Sequence, residues 1–377
     1  MVSLMSTAAV ICEFNPFHNG HKFLLEKIKK EYADHIVCIM SGSFVQRGDI
    51  AITDKFSRAR EALQHGADMV VELPTVYALS PAQIFAQNGV RIAKELRCEM
   101  LCFGAENSIE ELKETIAALD CDDTQKEIAA KMQSGGYYPK ALSDSLDKKY
   151  AAIISKPNNI LAIEYIRACE TYGITPVAIE RNGVNHDSPT VSGEIASASK
   201  IREMIAAGED YTPFSPVRIS RVYSLRDIEP ILLYQLKTQS PDEIAAIAGV
   251  GEGLNNRISQ YAQQYNSIEE ILSAVKTKRY TMARLRRIAL CITLGITDEM
   301  QHTPVPYLRV LGVRRGKESL IQAERLPLIV DVRRGYDALD NSAKEIFDVD
   351  LAATQLTNSA KVSPAALNDF LQGVIKL

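Results

Sequence analysis

Five continuous apolar runs, separated by helical patterns, constrain this chain most. They are Ala8 to Phe14, His35 to Met40, Asp68 to Leu73, Met100 to Phe103 and Ile174 to Ile179. Most are rich in Val and Ile, without the in–out alternation of a half-exposed strand. Strands buried on both faces read this way, and both faces are covered in parallel sheets. Between the first two runs, Leu24, Leu25, Ile28 and Tyr32 fall on one helical face, with Lys22, Glu26, Lys29 and Lys30 toward water. Phe56, Ala59 and Leu63 mark a second helix, and Phe85, Ile92 and Leu96 a third. The alternation predicts an α/β fold with a doubly wound, Rossmann-like parallel sheet.

The interval from Ser108 to Tyr172 has no strand-like run and reads as a helical insertion. A polar loop, Asn182 to Ser192, follows the fifth run, and a helix then runs through Lys200 to Ala207. Tyr211-Thr212-Pro213-Phe214-Ser215-Pro216 reads as a linker. Beyond it the pattern is helical to about residue 300, with a capping box at Ser267-Ile268-Glu269-Glu270 and a cap at Thr281. Leu308 to Val313 and Leu326 to Val330 read as strands, each followed by a helical stretch. The expected division is therefore a catalytic domain over 1–215, a helical region over 216–300 and a small α/β region over 301–377.

No run approaches the ~20 apolar residues of a membrane helix, and Met1 to Ser6 lacks the pattern of a signal peptide. The seven cysteines are odd in number and form no Cys-x-x-Cys pair, so we expect a reducing, cytoplasmic setting and no structural zinc. Net charge is −4, so any footprint for nucleic acid must be local.

The first run leads into Cys12-Glu13-Phe14-Asn15-Pro16-Phe17-His18-Asn19-Gly20-His21. Histidines three apart at a helix start put both rings on one side, beside the free N–H groups of the first turn. Those groups and the helix dipole favour an anion. Gly20 permits close approach to the backbone. Two imidazoles there could stabilise charge developing on an attacked phosphate. A lone histidine would more often be a cap or a surface residue; the compound stretch is a stronger signal. It resembles the His-x-Gly-His motif of the nucleotidylyltransferase superfamily, which binds triphosphate and promotes nucleotidyl transfer. Ser197-Ala198-Ser199-Lys200-Ile201-Arg202 resembles the serine-rich motif those enzymes set opposite the histidines, although serine before a helix is ordinarily just a cap.

Further stretches carry a narrower resemblance. They are Met40-Ser41-Gly42-Ser43-Phe44-Val45-Gln46-Arg47-Gly48-Asp49, Phe103-Gly104-Ala105-Glu106, Ser155-Lys156-Pro157-Asn158-Asn159-Ile160-Leu161 and Lys276-Thr277-Lys278-Arg279-Tyr280-Thr281. With the histidine motif they are similar to the bacterial tRNA(Met) cytidine acetate ligase family over residues ~8 to 290. The resemblance implies a ligase that makes acetyl-adenylate from acetate and ATP. The acetyl group would then pass to the N4 amine of the wobble cytidine of elongator tRNA(Met). It implies ATP, brought with Mg2+, and tRNA as partners, and neither DNA nor a membrane. The family's first ATP segment corresponds to Ile11, Cys12, Glu13, Phe14, Asn15, Pro16, Phe17, His18, Asn19, Gly20, His21, Lys22, Phe23 and Leu24, with His18 and His21 catalytic. Gly104, Asn158, Arg181, Ser197 and Ser199 would complete the ATP site. Without the family, Gly104 is equally a turn glycine, Asn158 a helix start with Asn159 its cap, and Arg181 a surface charge. Arg47 and Asp49 could shape the acetate or nucleotide pocket, and Cys12 should only pack. No dedicated metal-ligand cluster is visible.

Residues 276 to 287 hold Lys276, Lys278, Arg279, Arg284, Arg286 and Arg287 with no acid among them, and Tyr280 lies in their midst. Basic residues with an aromatic suit RNA phosphates and one stacked base. Lys276, Lys278, Arg279, Arg284 and Arg287 are the candidate tRNA contacts; the plainer reading is a solvated helix face. Arg314, Arg315, Lys317, Arg333 and Arg334 form a weaker second cluster. A small-molecule nucleotidylyltransferase should end near Ala207, and the ~170 further residues speak against it. A catalytically silent RNA-binding protein would not need both motifs intact.

Overall fold

The computed structural model describes residues 5–134, 138–180, 195–219, 221–251, 253–360 and 366–377. Its strands are β1 (Thr7–Cys12), β2 (His35–Ser41), β3 (Phe44–Val45), β4 (Asp49–Ile50), β5 (Met69–Leu73), β6 (Met100–Ala105), β7 (Thr175–Glu180), β8 (Leu308–Val313), β9 (Leu328–Ile329) and β10 (Ile375–Lys376). The main sheet runs β10-β8-β5-β2-β1-β6-β7, with β9 on β8, and β3 and β4 form a separate hairpin. From β5 through β2, β1 and β6 to β7 every pairing is parallel. All five expected runs are therefore neighbours in one sheet. β1 lies at the point where the chain turns from building one side to the other. In open α/β sheets, ligands bind outside the carboxyl ends of the strands flanking that point.

The period of two divides the strands between two cores. Ala9, Val37, Ile39 and Val71 belong to one core, and Ala8, Val10, Cys38, Met40 and Val70 to the other. The second core is closed by α1 (Asn19–Glu31) and α2 (Lys55–Gln64) through Leu25, Ile28, Phe56, Ala59 and Leu63. The first is closed by helices Ala82–Glu95 and Pro157–Tyr172, with Phe85, Ile92, Ala162 and Ile166 inside. Each fully buried Ile or Leu contributes about 1.5–3 kcal/mol. Helix Ala82–Glu95 comes close at Gly89, where a Cβ would lie 2.5 Å from Ile11 Cδ1.

The insertion before β7 is helical, with Ile109–Asp120, Asp122–Gln133, Tyr138–Asp144, Lys148–Ile154 and Pro157–Tyr172. Beyond Pro216, helices Leu225–Thr238, Leu254–Gln264, Ile268–Val275 and Met282–Leu294 follow. Thr281 caps Met282–Leu294, accepting from the Arg284 N–H at 3.3 Å. Ser267 occupies the cap position of Ile268–Val275, but its side chain makes no capping bond. The Ile268 N–H donates instead to Glu229 Oε1 at 2.8 Å, a partner from another helix that local sequence could not announce.

β8 lies antiparallel to β5, so the main sheet crosses the boundary drawn at residue 301. Buried charges sit at that crossing. Lys55 Nζ is 2.9 Å from Glu72 and 2.8 Å from Asp369, and Arg309 is 3.0 Å from Glu72 and 2.6 Å from Asp369. Removing one partner of such a network costs about 3–5 kcal/mol. Beside it, the Asp350 carboxylate accepts from the Thr75 N–H and the Tyr307 hydroxyl, each at 2.7 Å. No helix among the described residues is long and apolar enough to cross a membrane.

Candidate nucleotide site and its neighbours

The turn after β1 is tightly built. Phe14 holds φ of +48° and the Asn15–Pro16 bond is cis. A left-handed non-glycine residue costs about 1–2 kcal/mol, so its surroundings must impose it. Phe14 and Phe17 are buried edge to face, 4.9 Å between centroids. His18 caps α1, its Nδ1 accepting from the Gly20 N–H at 3.1 Å. His21 Nδ1 accepts from the His18 N–H at 3.3 Å. This is a capping box made of two imidazoles in place of the usual hydroxyl and carboxyl. The rings stack at 3.7 Å between centroids. Since each Nδ1 accepts, each neutral ring carries its proton on Nε2, the atom that could donate to a phosphate oxygen. Gly20 leaves room for the capping ring: a Cβ there would sit 2.9 Å from His18 Cε1, so the imidazole would have to shift.

The serine-rich stretch meets this turn. Ser197 caps helix Ala198–Ala207, accepting from the Lys200 N–H at 3.1 Å. Arg202 donates to Ser199 Oγ at 3.1 Å and to Asn15 O at 2.6 Å, so it bridges the two motifs. A Cβ on Gly20 would be 3.8 Å from Ile195 Cγ2, which puts the approach to the second helix beside the start of the first. The two helix N-termini are therefore neighbours, and each end favours an anion.

The expected linker is a strap on the histidine motif. Ser215 donates to Phe17 O at 2.7 Å, and Asn19 donates to Phe214 O and Pro213 O, each at 2.9 Å. The Pro-rich composition suits a linker, but the segment's serine hydroxyl and its carbonyls satisfy the motif's backbone.

Arg58 is a structural residue of this site that the sequence does not mark. Its guanidinium is buried and donates to the carbonyls of Glu13 at 2.6 Å, Ser41 and Thr53 at 3.1 Å each, and to Gly42 O. It thereby ties together the carboxyl ends of β1 and β2. Burial pulls its pKa down to about 10, so it stays charged at neutral pH. In the sequence it is one arginine among several on an amphipathic helix, and nothing there marks it. Glu13, also in this turn, accepts from the Gln46 N–H at 2.8 Å; burial pushes its carboxyl up against that bond and the nearby Arg202, Arg47 and Arg58.

On the other side of the switch, Gly104 lies within β6, paired with Ile179, rather than after the strand. Asn158 Nδ2 donates to Glu106 Oε1 at 2.7 Å, and Asn159 Oδ1 accepts from the Glu106 N–H at 3.1 Å. The cap of helix Pro157–Tyr172 is Lys156, not Asn159, which is buried and pins the loop after β6. Arg181 lies outside the described residues. Within the expected first ATP segment, Ile11 packs toward Gly89, and the Cys12 thiol, raised by burial and by Cys38, donates to Ile39 O at 3.7 Å. Lys22 and Phe23 are exposed and Leu24 packs on the second core. No three His, Cys, Asp or Glu side chains group as metal ligands among the described residues, and all seven cysteines are free.

The basic stretch divides in two. Lys276, Lys278, Arg279 and Arg286 are exposed. Arg284 and Arg287 are half-buried, donating to Gly249 O at 2.8 Å and Gln46 O at 3.0 Å. Tyr280 is buried beneath the Arg279 and Arg284 guanidiniums, 5.9 and 4.9 Å from its centroid. Its ring is therefore covered by the chain's own cations and does not offer the stacking face expected from sequence.

A twice-bridged His-x-Gly-His turn at the switch point of a parallel sheet defines a nucleotidyltransferase, and a family model described as HIGH Nucleotidyl Transferase matches residues 5–369. A tRNA(Met) cytidine acetate ligase of Acetivibrio thermocellus is 32% identical over 98% of this chain and 100% of its own. One of a Thermoanaerobacter species is 36% identical over 99% of this chain and 100% of its own. The structure of Thermotoga maritima TmcAL bound with alpha-thio ATP superposes with a TM-score of 0.88, at 28% identity, covering 99% of this chain and 100% of that one. The chain belongs to the tRNA(Met) cytidine acetate ligase family.

Proposed function

We propose that the chain activates acetate with ATP and acetylates the N4 amine of the wobble cytidine of elongator tRNA(Met). In the first step an acetate oxygen attacks the α-phosphorus; that P–O bond forms as the α–β bridging bond breaks and pyrophosphate leaves. The Nε2–H groups of His18 and His21, with the two helix N-termini, would donate to the phosphate oxygens as charge builds there. Magnesium enters with ATP as part of the substrate. In the second step the amine attacks the acetyl carbon, the C–N bond forms, AMP leaves, and the amine proton passes to solvent.

The observation that carries the reading is the reciprocal cap of His18 and His21 with Arg202 across it. The alpha-thio ATP bound by the similar Thermotoga protein supports ATP as the nucleotide. The relatives' names support acetate and tRNA(Met). We assign catalysis to the sheet and its carboxyl-edge loops, including Gly104, Asn158, Ser197 and Ser199, and RNA binding to the helical region through Lys276, Lys278 and Arg279. Arg181 is assigned to ATP by motif alone. A reducing, cytoplasmic location fits seven free thiols and a tRNA substrate. The test is incubation with ATP, radiolabelled acetate and total tRNA. Label should appear in tRNA(Met) alone; wild-type protein that binds ATP yet labels no RNA would overturn the reading.

A further inference from the structure

The hairpin β3–β4 lies between the histidine turn and the basic helix Met282–Leu294. Gln46, in its loop, is held from both sides. Its N–H donates to Glu13 Oε1 at 2.8 Å, and its carbonyl accepts from Arg287 Nη1 at 3.0 Å. Gly48, at φ of +75°, rests on the helix itself: a Cβ would lie 2.5 Å from Arg287 N and 2.7 Å from Arg286 Cβ. The half-buried Asp49 carboxylate, pushed up by burial, is drawn back down by Arg286 on the helix and Arg202 in the nucleotide site. Two strands of two residues each hold no fixed place through their own ladder. Phe44 and Ile50 seat the hairpin in the first core, which also holds Leu285 and Ile288 of the basic helix, and the contacts through Gln46 and Gly48 add a direct link between that helix and the histidine turn.

We propose that Arg287 and Gly48 are positioning residues for acetyl transfer, holding helix Met282–Leu294, and with it the RNA-binding turn that leads into it, in register with the nucleotide turn rather than contacting RNA. The proposal rests on the ligase reading above. Transfer needs the acceptor amine within about 3–3.5 Å of the acetyl carbon, and a 1 Å misplacement costs on the order of 10²-fold in rate. Adenylation, which uses only small molecules in the nucleotide site, does not need the helix. Nor does RNA affinity depend on Arg287, whose guanidinium is already turned to Gln46 O while Lys276, Lys278, Arg279 and Arg286 face solvent.

The experiment separates three readouts: acetate-dependent ATP–pyrophosphate exchange, tRNA Kd, and single-turnover acetyl transfer at saturating tRNA. Gly48→Ala should leave exchange within about twofold and tRNA Kd within about threefold, while transfer falls by about tenfold or more. Arg287→Ala should slow transfer at nearly unchanged Kd, and Arg287→Lys, which keeps one donor for Gln46 O, should recover most of it. If Gly48→Ala fails to fold, the Arg287 pair decides. A Kd raised about tenfold in Arg287→Ala, with transfer normal at saturating tRNA, overturns the proposal and makes Arg287 a phosphate contact. Wild-type protein that supports exchange but labels no tRNA overturns the ligase reading itself and the proposal with it.

Discussion

Replacing Arg58 by methionine should both destabilise the protein and disable adenylation. The guanidinium serves four carbonyls, those of Glu13, Ser41, Gly42 and Thr53. Methionine fills the stem's volume and offers no donor. Each buried acceptor left unpaired costs about 1–3 kcal/mol, so four carbonyls at the low end give about 4 kcal/mol. Against this stands the desolvation of the buried cation, which the variant no longer bears and which is visible in the pKa pulled down to about 10. That lowering corresponds to about 3 kcal/mol, so the net loss should be about 1 kcal/mol, read from a urea titration at pH 7 with unchanged slope. Two of the carbonyls end β1 and β2 at the proposed nucleotide site, so ATP–pyrophosphate exchange should drop by about 10²-fold even under conditions where the variant is folded. Arg58→Lys should recover only part of either, since an ammonium cannot span the four acceptors of a planar fork. A methionine variant with wild-type midpoint and normal exchange would refute the assignment.

Gly20→Ala sets a Cβ 2.9 Å from the His18 ring, so exchange should fall about 10²-fold with an unchanged circular dichroism spectrum; a fully active alanine variant would show that the imidazole cap is not the working arrangement. Exchanging Lys276, Lys278 and Arg279 together to alanine should lower the slope of log affinity for tRNA against log salt by about 2–3, and an unchanged slope would remove them from the interface. Asp350 titrates in the fold at about 6 against an ordinary 3.8, raised first by burial and then by Glu72. Its neutral form is the one the fold favours, so its contribution is complete below about pH 4 and lost as pH rises through 6, about 3 kcal/mol in all. Asp350→Asn should therefore gain stability relative to wild type between pH 4 and 7 by urea titration, and a constant difference across that window would contradict it. Asp369 in the same network is also pushed up by burial, but Lys55 and Arg309 outweigh this and hold it at about 2, so it changes little over the window.

The sequence by itself determined the elements of the parallel sheet and the local geometry of the histidine turn at its edge. Continuous apolar runs identify doubly covered strands because burial on both faces removes the alternation. The two histidines and Gly20 are a local device: ring, cap and close approach all lie within one helical turn, so their spacing already encodes their geometry. Only tertiary structure decided what depends on partners distant in the chain. Arg58 reaches Glu13 across 45 residues, Arg202 reaches Asn15 across 187, and Ser215 reaches Phe17 across 198. None of these side chains announces its acceptor, because a backbone carbonyl has the same chemistry at every position. β8 joins β5 for the same reason: an apolar run states that it will be buried, not beside which strand. The split of the basic stretch is likewise three-dimensional. Arg284 and Arg287 read like their neighbours Lys276, Lys278 and Arg279, and differ only in having carbonyls of other segments within reach.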